Sequence, residues 1–316
     1  MEKLLIICGP TATGKTNLAL KLAKKFNGEI VSFDSRQVYK GMDIGTGKDI
    51  KGFEFKNGFY LVEGIKIWLY DLVNPDYQFN VADFIKEAKK IINDVWKRKR
   101  LPILVGGTGF YLQGLLEGVE SLGILPDFKL REELNSLSLI NLQNKLKKLN
   151  PQRWEMMNDS DRKNPRRLIR AIEVSLNKDK LKKEKPLKAN LLKIGLKASL
   201  KDLYSLVNQR VDQRIKDGVE EEIKTLIDKG YDFKNSVLGT TIGYKDWEFY
   251  FLGKKKKDEV ITDWKNVEHG YVRRQLTWFK RNKDIKWFDI LGNKWQDKVE
   301  RKVFLWYTKK NDAQKD

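Results

Sequence analysis

The chain has 316 residues, of which 63 are lysine or arginine and 43 are aspartate or glutamate, giving a net charge of +20. It has one cysteine, Cys8, and one histidine, His269, so an internal disulfide and a Cys/His zinc site are excluded and a carboxylate is the expected general base. No apolar run reaches the roughly 18 residues of a membrane span, and no signal sequence precedes the first strand. We therefore expect a cytoplasmic protein without a membrane partner.

The first part of the chain alternates between strand and helix patterns. In chain order, these patterns predict a strand at 4–8, a helix at 15–26, a strand at 29–33, a hairpin around Glu63 and Gly64, a helix at 81–99 and a strand at 101–105. Such alternation is typical of an α/β fold with a parallel sheet and helices on both faces.

The pattern changes after Gly118. Residues 125–190 have helical periodicity and no strand-like run, and the sheet resumes with a strand at 191–198, followed by a helix at 203–229, a strand at 286–290 and a final helix. We therefore predict a core formed by 1–124 and 191–316, with an all-helical domain inserted at 125–190. The segment 129–197 contains 19 basic and 8 acidic residues, a net of +11, which favours a nucleic-acid partner for the insertion.

A phosphate-binding loop follows the first strand. The sequence GPTATGKT matches the P-loop pattern and is placed between a predicted strand and a predicted helix, which favours a P-loop NTPase-like core. Its backbone N–H groups and the helix N-terminus suit phosphate oxygens, Lys15 adds positive charge, and the Thr16 hydroxyl is a ligand for Mg²⁺. The predicted polyphosphate site consists of Gly9, Pro10, Thr11, Ala12, Thr13, Gly14, Lys15 and Thr16.

Two further strand ends should face the same crevice, because ligands of open parallel sheets bind at the carboxyl ends of the strands. Asp34 follows the strand at 29–33, and Thr108 follows the strand at 101–105. That last strand leads into Gly106 and Gly107 without the acidic residue that P-loop ATPases use to hold Mg²⁺ and water. The residues alone argue against hydrolysis and leave a small-molecule kinase open, with Asp34 as the base for an acceptor hydroxyl.

An arginine-rich helix is predicted in the insertion, at 161–176. On a helical wheel Arg162, Arg166 and Arg170 share one face with Arg167 beside it, opposite an apolar face. Arginine suits phosphate contact because its planar fork matches phosphate oxygens. The alternative is an ordinary amphipathic helix whose arginines are solvated or pair with local acids such as Glu173.

Several motifs together resemble the tRNA dimethylallyltransferase family. They are, in order, GPTATGKT, DSRQVYKGMDIGTGK, ILVGGTGFYLQGLLEG, NPRRLIRAIEV, NQRVDQ, IGYKDW and RRQLTWFKR. The resemblance covers roughly residues 4–290, and its DSRQVYKGMDIGT segment is more specific than the phosphate loop. Adenylate isopentenyltransferases share the first motifs, but would not be expected to have the insertion or the QLTWFKR end.

The resemblance implies a reaction and its partners. The loop would bind the diphosphate of dimethylallyl diphosphate with Mg²⁺, a carbon–oxygen bond would break, and N6 of adenosine 37 in the tRNA anticodon stem-loop would be the nucleophile. The base carried over by motif is Asp34, and Thr108 is expected to hold substrate and tRNA. Arg210 is a candidate for the diphosphate. We expect the protein to be a monomer.

The resemblance also implies a tRNA-binding set. It comprises Asp34, Ser35, Arg36, Gln37, Thr108, Arg131, Arg166, Arg167, Leu168, Ile169 and Arg170. The sequence departs from the family at Thr240, where an arginine is common, which puts a tRNA contact from that segment in doubt. The C-terminal zinc finger of eukaryotic relatives is excluded by the cysteine and histidine counts.

Overall fold

The computed structural model describes residues 1–50, 52–119, 121, 124–177, 179 and 185–309. The chain divides into two compact units, which are Met1–Leu115 with Lys188–Asp316, here called the sheet unit, and Leu116–Leu187, here called the helical unit. The predicted insertion at 125–190 overlaps the helical unit, which begins nine residues earlier. None of the described helices is both long and apolar enough to cross a membrane.

A single mixed sheet organises the sheet unit. Its strands are β1 (Lys3–Cys8), β2 (Gly28–Ser32), β3 (Glu54–Lys56), β4 (Phe59–Val62), β5 (Ile65–Trp68), β6 (Leu101–Gly106), β7 (Asn190–Lys197) and β8 (Lys286–Asp289). Their order in space is β3-β4-β5-β2-β6-β1-β7-β8, with β4 antiparallel to both of its neighbours and the pairs from β5 to β8 parallel. The α/β prediction and the hairpin are confirmed, and the short strand β3 was not predicted.

The helices of the two units run in chain order between these strands. They are α1 (Lys15–Lys25), α2 (Val81–Lys97), α3 (Gly109–Glu117), α4 (Phe128–Asn135), α5 (Leu139–Leu149), α6 (Pro151–Met156), α7 (Asp159–Arg162), α8 (Pro165–Leu176), α9 (Leu200–Lys216), α10 (Val219–Asp228), α11 (Trp247–Phe251), α12 (Lys257–Lys280) and α13 (Trp295–Thr308). The main core joins strand side chains such as Ile7 and Ile103 to Leu22 of α1 and Val303 of α13.

Two helix predictions were wrong. The helix at 203–229 is divided into α9 and α10 by Gly218, whose φ of 95° lies in the left-handed region that glycine tolerates. The helix at 161–176 is divided into α7 and α8, because the Asn164 side chain caps α8 by accepting from the backbone N–H of Arg167 and Pro165 occupies its first turn. Arg162 therefore does not share a helix with Arg166 and Arg170.

The helical unit has its own apolar core. It contains Leu134, Leu142, Leu146, Leu168, Ile169 and Ile172. In the sheet unit, Cys8 ends the fully buried part of β1, and burial raises the pKa of its thiol to about 12.

Candidate active site

The phosphate loop connects β1 to α1 in the geometry that anion binding requires. Gly9 has a φ of 133°, and a Cβ there would lie 2.4 Å from the Leu196 carbonyl oxygen, so a side chain at this position is excluded. Gly14 caps α1 with a φ of 75° and offers no side-chain cap, so the first N–H groups of the helix are left for a ligand. The Thr13 hydroxyl donates to the Pro10 carbonyl at 2.9 Å and fixes the loop from within.

Lys15 is held inside this loop. Its ammonium donates to the Pro10 carbonyl oxygen at 2.5 Å. Burial, together with the nearby Arg210 guanidinium, lowers the pKa of Lys15 to about 8. The free site therefore stabilises the charged form of Lys15 less than water does, and a bound anion would stabilise it.

A cavity of about 840 Å³ opens over the loop. Residues 11–16 line it, whereas Gly9 and Pro10 do not. The segment from Asp34 to Gln37 forms another part of the wall, and α9 and α12 contribute Arg210 and Gln275. The ends of β1 and β2 thus bring the phosphate loop and Asp34 to one cavity, as the strand-end argument predicts.

Asp34 is oriented by its own turn. Its Oδ1 accepts from the backbone N–H of Arg36 at 2.8 Å, and its backbone N–H donates to the Ser32 hydroxyl at 3.3 Å. Within the described part of the chain, Oδ2 has no hydrogen-bond partner. Two other acids line the cavity, but Asp49 pairs with Arg210 and Glu268 with Arg214. Asp34 is the lining carboxylate of the described residues without an ion pair.

Thr108 lies beside this cavity and does not line it. Its Oγ1 accepts from the Ser35 backbone N–H at 3.1 Å, and its hydroxyl lies near the Tyr271 hydroxyl. Tyr271 does line the cavity, on α12. The Thr108 side chain thus joins the segment after β2 to α12, and the contact with substrate expected of it stays a prediction.

Arg210 reaches from α9 to the phosphate loop. Its guanidinium contacts the Thr11 hydroxyl at 3.4 Å, the Gly47 carbonyl at 3.1 Å and the Asp49 carboxylate at 2.7 Å. One helical turn later, Arg214 is buried against Glu268 at 3.2 Å. Burial and the charge of Arg210 lower the pKa of Arg214. Two guanidinium groups, each paired with a carboxylate, thus lie on the loop side of the cavity.

The sequence argument missed three polar residues of this site. Gln275 accepts from the Thr11 backbone N–H at 2.9 Å and donates to the Gly107 carbonyl at 3.1 Å, so it ties the phosphate loop to the end of β6. Arg214 was overlooked, although it lies four residues after Arg210. Tyr70 lines the cavity near the Thr16 side chain. The sequence signal that could have identified Gln275 is its position as a polar residue on the apolar face of α12.

The segment around Thr240 also lines the cavity. The Thr240 carbonyl accepts from the Arg36 guanidinium at 3.4 Å, and Lys245 lines the same wall. Arg36 and Lys245 thus supply positive charge near the position where the family pattern has an arginine.

The predicted tRNA-binding residues of the helical unit fall into three groups. Leu168 and Ile169 are buried in its core, so packing is the role of their side chains. Arg131 and Arg170 both bind the buried Glu173 carboxylate, and Arg170 also donates to the Ser121 and Ile124 carbonyls at 2.9 Å. Arg167 pairs with Asp161 but stays exposed, and Arg166 is exposed with no partner in the described residues.

Glu173 explains why two of these arginines are not free. Burial alone would raise the pKa of its carboxyl, but hydrogen bonds from Arg131 and Arg170 hold it below its ordinary value. The carboxylate is therefore charged at neutral pH and retains both guanidinium groups. This arrangement matches the sequence-based alternative in which arginines pair with local acids.

The fold and the site define a protein of the P-loop NTPase-like class whose cavity combines a phosphate loop with a carboxylate. The sequence matches the family described as IPP transferase over residues 37–282 and the family described as isopentenyl transferase over residues 2–64. The chain belongs to the IPP transferase family. Curated proteins that are similar to it are named tRNA dimethylallyltransferase.

The relatives match over nearly all or all of the chain. The protein from Pediococcus pentosaceus is 39% identical over 100% of both chains, and that from Acetivibrio thermocellus is 37% identical over 92% of both. Among solved structures, the full-length tRNA isopentenylpyrophosphate transferase of Bacillus halodurans has a TM-score of 0.69 at 33% identity over 97% of both chains. A eukaryotic dimethylallyltransferase acting on tRNA has a TM-score of 0.74 at 24% identity, covers 96% of this chain and 78% of its own, and supports the fold alone.

Proposed function

We propose that this protein transfers the dimethylallyl group of dimethylallyl diphosphate to N6 of adenosine 37 in tRNA and releases diphosphate. The observation that carries this proposal is the single cavity lined by both the phosphate loop and Asp34. Family membership supports the reaction type, and the cavity has groups that could stabilise the leaving diphosphate and accept the N6 proton.

The donor end of the reaction needs cationic and N–H groups around a leaving diphosphate. The bond between the allylic carbon and the diphosphate oxygen breaks, and its electron pair leaves with the diphosphate. Loop N–H groups, Lys15 and Arg210 are placed to stabilise that developing charge. Burial lowers the pKa of Lys15 in the free site to about 8, and such an anion would raise it and so stabilise the charged form.

The acceptor end needs a base, because an adenine amino group is a weak nucleophile. The new bond joins N6 to the allylic carbon, and the N6 proton passes to the carboxylate of Asp34. The Oδ2 atom of Asp34 has no hydrogen-bond partner in the described residues and is free to accept it. The adenine of the tRNA must leave the stack of the anticodon loop for its N6 to reach this position.

Magnesium fits the residues at the phosphate end. Within the described residues no group of three or more acidic, histidine or cysteine side chains could hold a metal, so an ion here would take most ligands from diphosphate and water. The Thr16 hydroxyl lines the cavity at the start of α1 and supplies a hard oxygen of the type Mg²⁺ prefers. Bound there, Mg²⁺ would neutralise charge on the diphosphate.

A small-molecule kinase is the competing function. In the described residues β6 ends at Gly106 and is followed by Gly107, so the end of this strand has no acid to hold Mg²⁺ and direct water at a terminal phosphate, which argues against ATP hydrolysis. Transfer to a hydroxyl with Asp34 as the base has to be tested directly. The test incubates the protein and MgCl₂ with unmodified tRNA and labelled dimethylallyl diphosphate, and separately with labelled ATP. Label in adenosine 37 with no ATP turnover is expected. Phosphoryl transfer from ATP, with no prenylated tRNA, would overturn the proposal.

The exposed arginines of α8 provide a test of the RNA-binding surface. We expect Arg166→Gln to weaken tRNA binding and to reduce the slope of log affinity against log salt by up to about 1, as one lost phosphate contact would. Arg170→Gln should instead chiefly lower the melting temperature, because it removes a partner of the buried Glu173.

The matched control is Arg301→Gln, which changes the same charge on an exposed face of α13 in the sheet unit. Filter binding at several salt concentrations measures the loss of RNA contacts, and thermal unfolding of each variant measures the loss of stability. An Arg166→Gln slope equal to those of the wild type and the Arg301→Gln control would remove Arg166 from the RNA-binding surface.

A further inference from the structure

The loop at residues 43–47 forms one wall of the cavity through Gly45, Thr46 and Gly47. Its shape is fixed by Glu222, on α10. One oxygen of this carboxylate accepts from the backbone N–H groups of Asp43 at 2.8 Å and Ile44 at 2.7 Å, and the other accepts from the N–H of Gly45 at 3.1 Å. Three successive N–H groups that converge on an anion form a nest, and here the chain fills the nest with its own side chain.

Tyr244 completes this arrangement. Its hydroxyl donates to the second Glu222 oxygen at 2.6 Å. Its ring lies so close to the loop that a Cβ on Gly45 would come within 2.4 Å of it. Glu222 thus holds the loop through hydrogen bonds, whereas Tyr244 holds it through steric contact with Gly45 and through its hydrogen bond to the Glu222 carboxylate.

Lys48 anchors the loop at its other end. The Lys48 ammonium is fully buried, donates to the Tyr39 carbonyl at 2.6 Å and pairs with the Asp43 carboxylate at 2.5 Å. It also pairs with Asp71, which follows β5. With both ends fixed, the loop has little freedom to adjust its carbonyl groups independently of Glu222.

The 43–47 loop contacts residues on both sides of the cavity, the phosphate-loop side and the Asp34 side. The Gly47 carbonyl accepts from Arg210 at 3.1 Å and from the Gln37 side-chain amide at 3.1 Å. Arg210 contacts the phosphate loop, and Gln37 lies in the segment that begins with Asp34. Both arginines lie close to Gly47, since a Cβ there would lie 2.3 Å from Arg214 and 2.5 Å from Arg210.

We infer that Glu222 is a positioning residue for diphosphate binding, which acts by holding the 43–47 loop so that the Gly47 carbonyl orients Arg210. Glu222 itself does not line the cavity among the described residues and touches no reacting group. The inference rests on the proposed function, because it assigns Arg210 to the diphosphate of the donor.

Glutamine at position 222 is the smallest change that breaks the nest. Its single carbonyl can still accept from Asp43 and Ile44, but its NH₂ group then faces the N–H of Gly45, where two donors meet without an acceptor. The Tyr244 hydroxyl can rotate to accept from the new amide. The loss is therefore concentrated at Gly45, two residues before the carbonyl that orients Arg210.

The experiment compares Glu222→Gln and Tyr244→Phe with Glu221→Gln. Glu221 is the exposed neighbour that pairs with Lys224 at 2.8 Å, so it carries the same chemical change outside the nest. For each variant, calorimetry gives the Kd of inorganic diphosphate with MgCl₂, and steady-state assays give KM and kcat for dimethylallyl diphosphate and tRNA. All measurements are made well below the melting temperature.

We expect Glu222→Gln to raise the diphosphate Kd and the donor KM by about tenfold, the effect of one hydrogen bond to a charged group. Tyr244→Phe should raise them less, KM for tRNA should change less than threefold in either variant, and Glu221→Gln should match the wild type. A merely structural role would lower the active fraction, and so kcat, while leaving KM and Kd unchanged, and that outcome would overturn the inference.

The two proposals fail in different ways. If the wild type transfers no prenyl group but Glu222→Gln still weakens diphosphate binding, the proposed reaction is wrong and the positioning role of Glu222 stands. If Glu222→Gln does not fold, Tyr244→Phe decides, and a Kd equal to that of the wild type then overturns the inference.

Discussion

Replacing Asp34 with asparagine is expected to lower kcat for prenyl transfer by about 10²–10⁴, the usual contribution of a general base. Asparagine keeps an oxygen that can accept from the Arg36 N–H, so the turn after β2 should survive. What disappears is the capacity to take the N6 proton. Affinity for tRNA is expected to stay within a few-fold of the wild type, because the shape and hydrogen bonding of the segment are retained.

Asp49→Asn is the matched control for this variant. Asp49 lines the same cavity, but it pairs with Arg210 and its side chain is 72% exposed. The same chemical change at this position should leave kcat within about tenfold of the wild type, below the range expected for a lost base. Single-turnover rates and tRNA affinities of both variants are the measurements. If Asp34→Asn turns over like the wild type, Asp34 is not the base.

Lys15→Met is expected to raise the apparent KM for dimethylallyl diphosphate by about 10–100-fold, because it removes a charge-assisted hydrogen bond to the diphosphate. Methionine preserves much of the length and apolar volume of the stem, which limits damage to the loop. The KM for tRNA should change little, since Lys15 is expected to bind the diphosphate of the donor and not the tRNA. Steady-state kinetics with each substrate varied separately measure this difference.

The pKa of Lys15 adds a pH dependence with a defined sign. In the free site, burial and Arg210 lower this pKa to about 8, so Lys15 loses its charge as the pH rises above that value. A bound diphosphate favours the charged form, and binding above pH 8 must therefore take up a proton. Donor affinity of the wild type should fall as the pH rises through 8, and Lys15→Met should lack this component.

Lys24→Met serves as the control, because Lys24 lies on the same helix but is exposed and pairs with Glu63 at 3.2 Å. It should retain the wild-type donor KM and pH profile. Calorimetry in buffers of different ionisation enthalpy counts the protons taken up. A Lys15→Met variant with the donor affinity and pH profile of the wild type would mean that the loop does not hold the diphosphate through Lys15.

The features near the phosphate loop could be predicted because they are local in sequence. A strand, a glycine-rich turn and a helix follow one another between Lys3 and Lys25, and each has its own signal in composition and periodicity. The placement of Asp34 needed one further rule, that parallel strands end at one edge of the sheet. The local sequence pattern together with that rule was sufficient to predict that Asp34 lies near the phosphate loop.

The residues that the sequence argument missed act over long separations. Gln275 reaches Thr11 across 264 residues, and Glu222 reaches Asp43 across 179. No periodicity encodes such a pairing, because it depends on how α10 and α12 pack in the folded sheet unit. Arg131 appeared available for RNA for the same reason, since Glu173 meets Arg131 only once the helices have packed. Arg170 is different, because its pair with Glu173 three residues later is local and was the alternative that the sequence left open.

The buried position of Cys8 has a practical consequence for labelling chemistry. It is the one thiol in the sequence, and a pKa near 12 leaves almost no thiolate at neutral pH to attack a maleimide or iodoacetamide. A cysteine introduced at an exposed position, such as Lys40 next to the cavity segment, would therefore be the reactive thiol of the folded protein. Fluorescent or spin probes can thus be attached at chosen single sites without first removing the native cysteine.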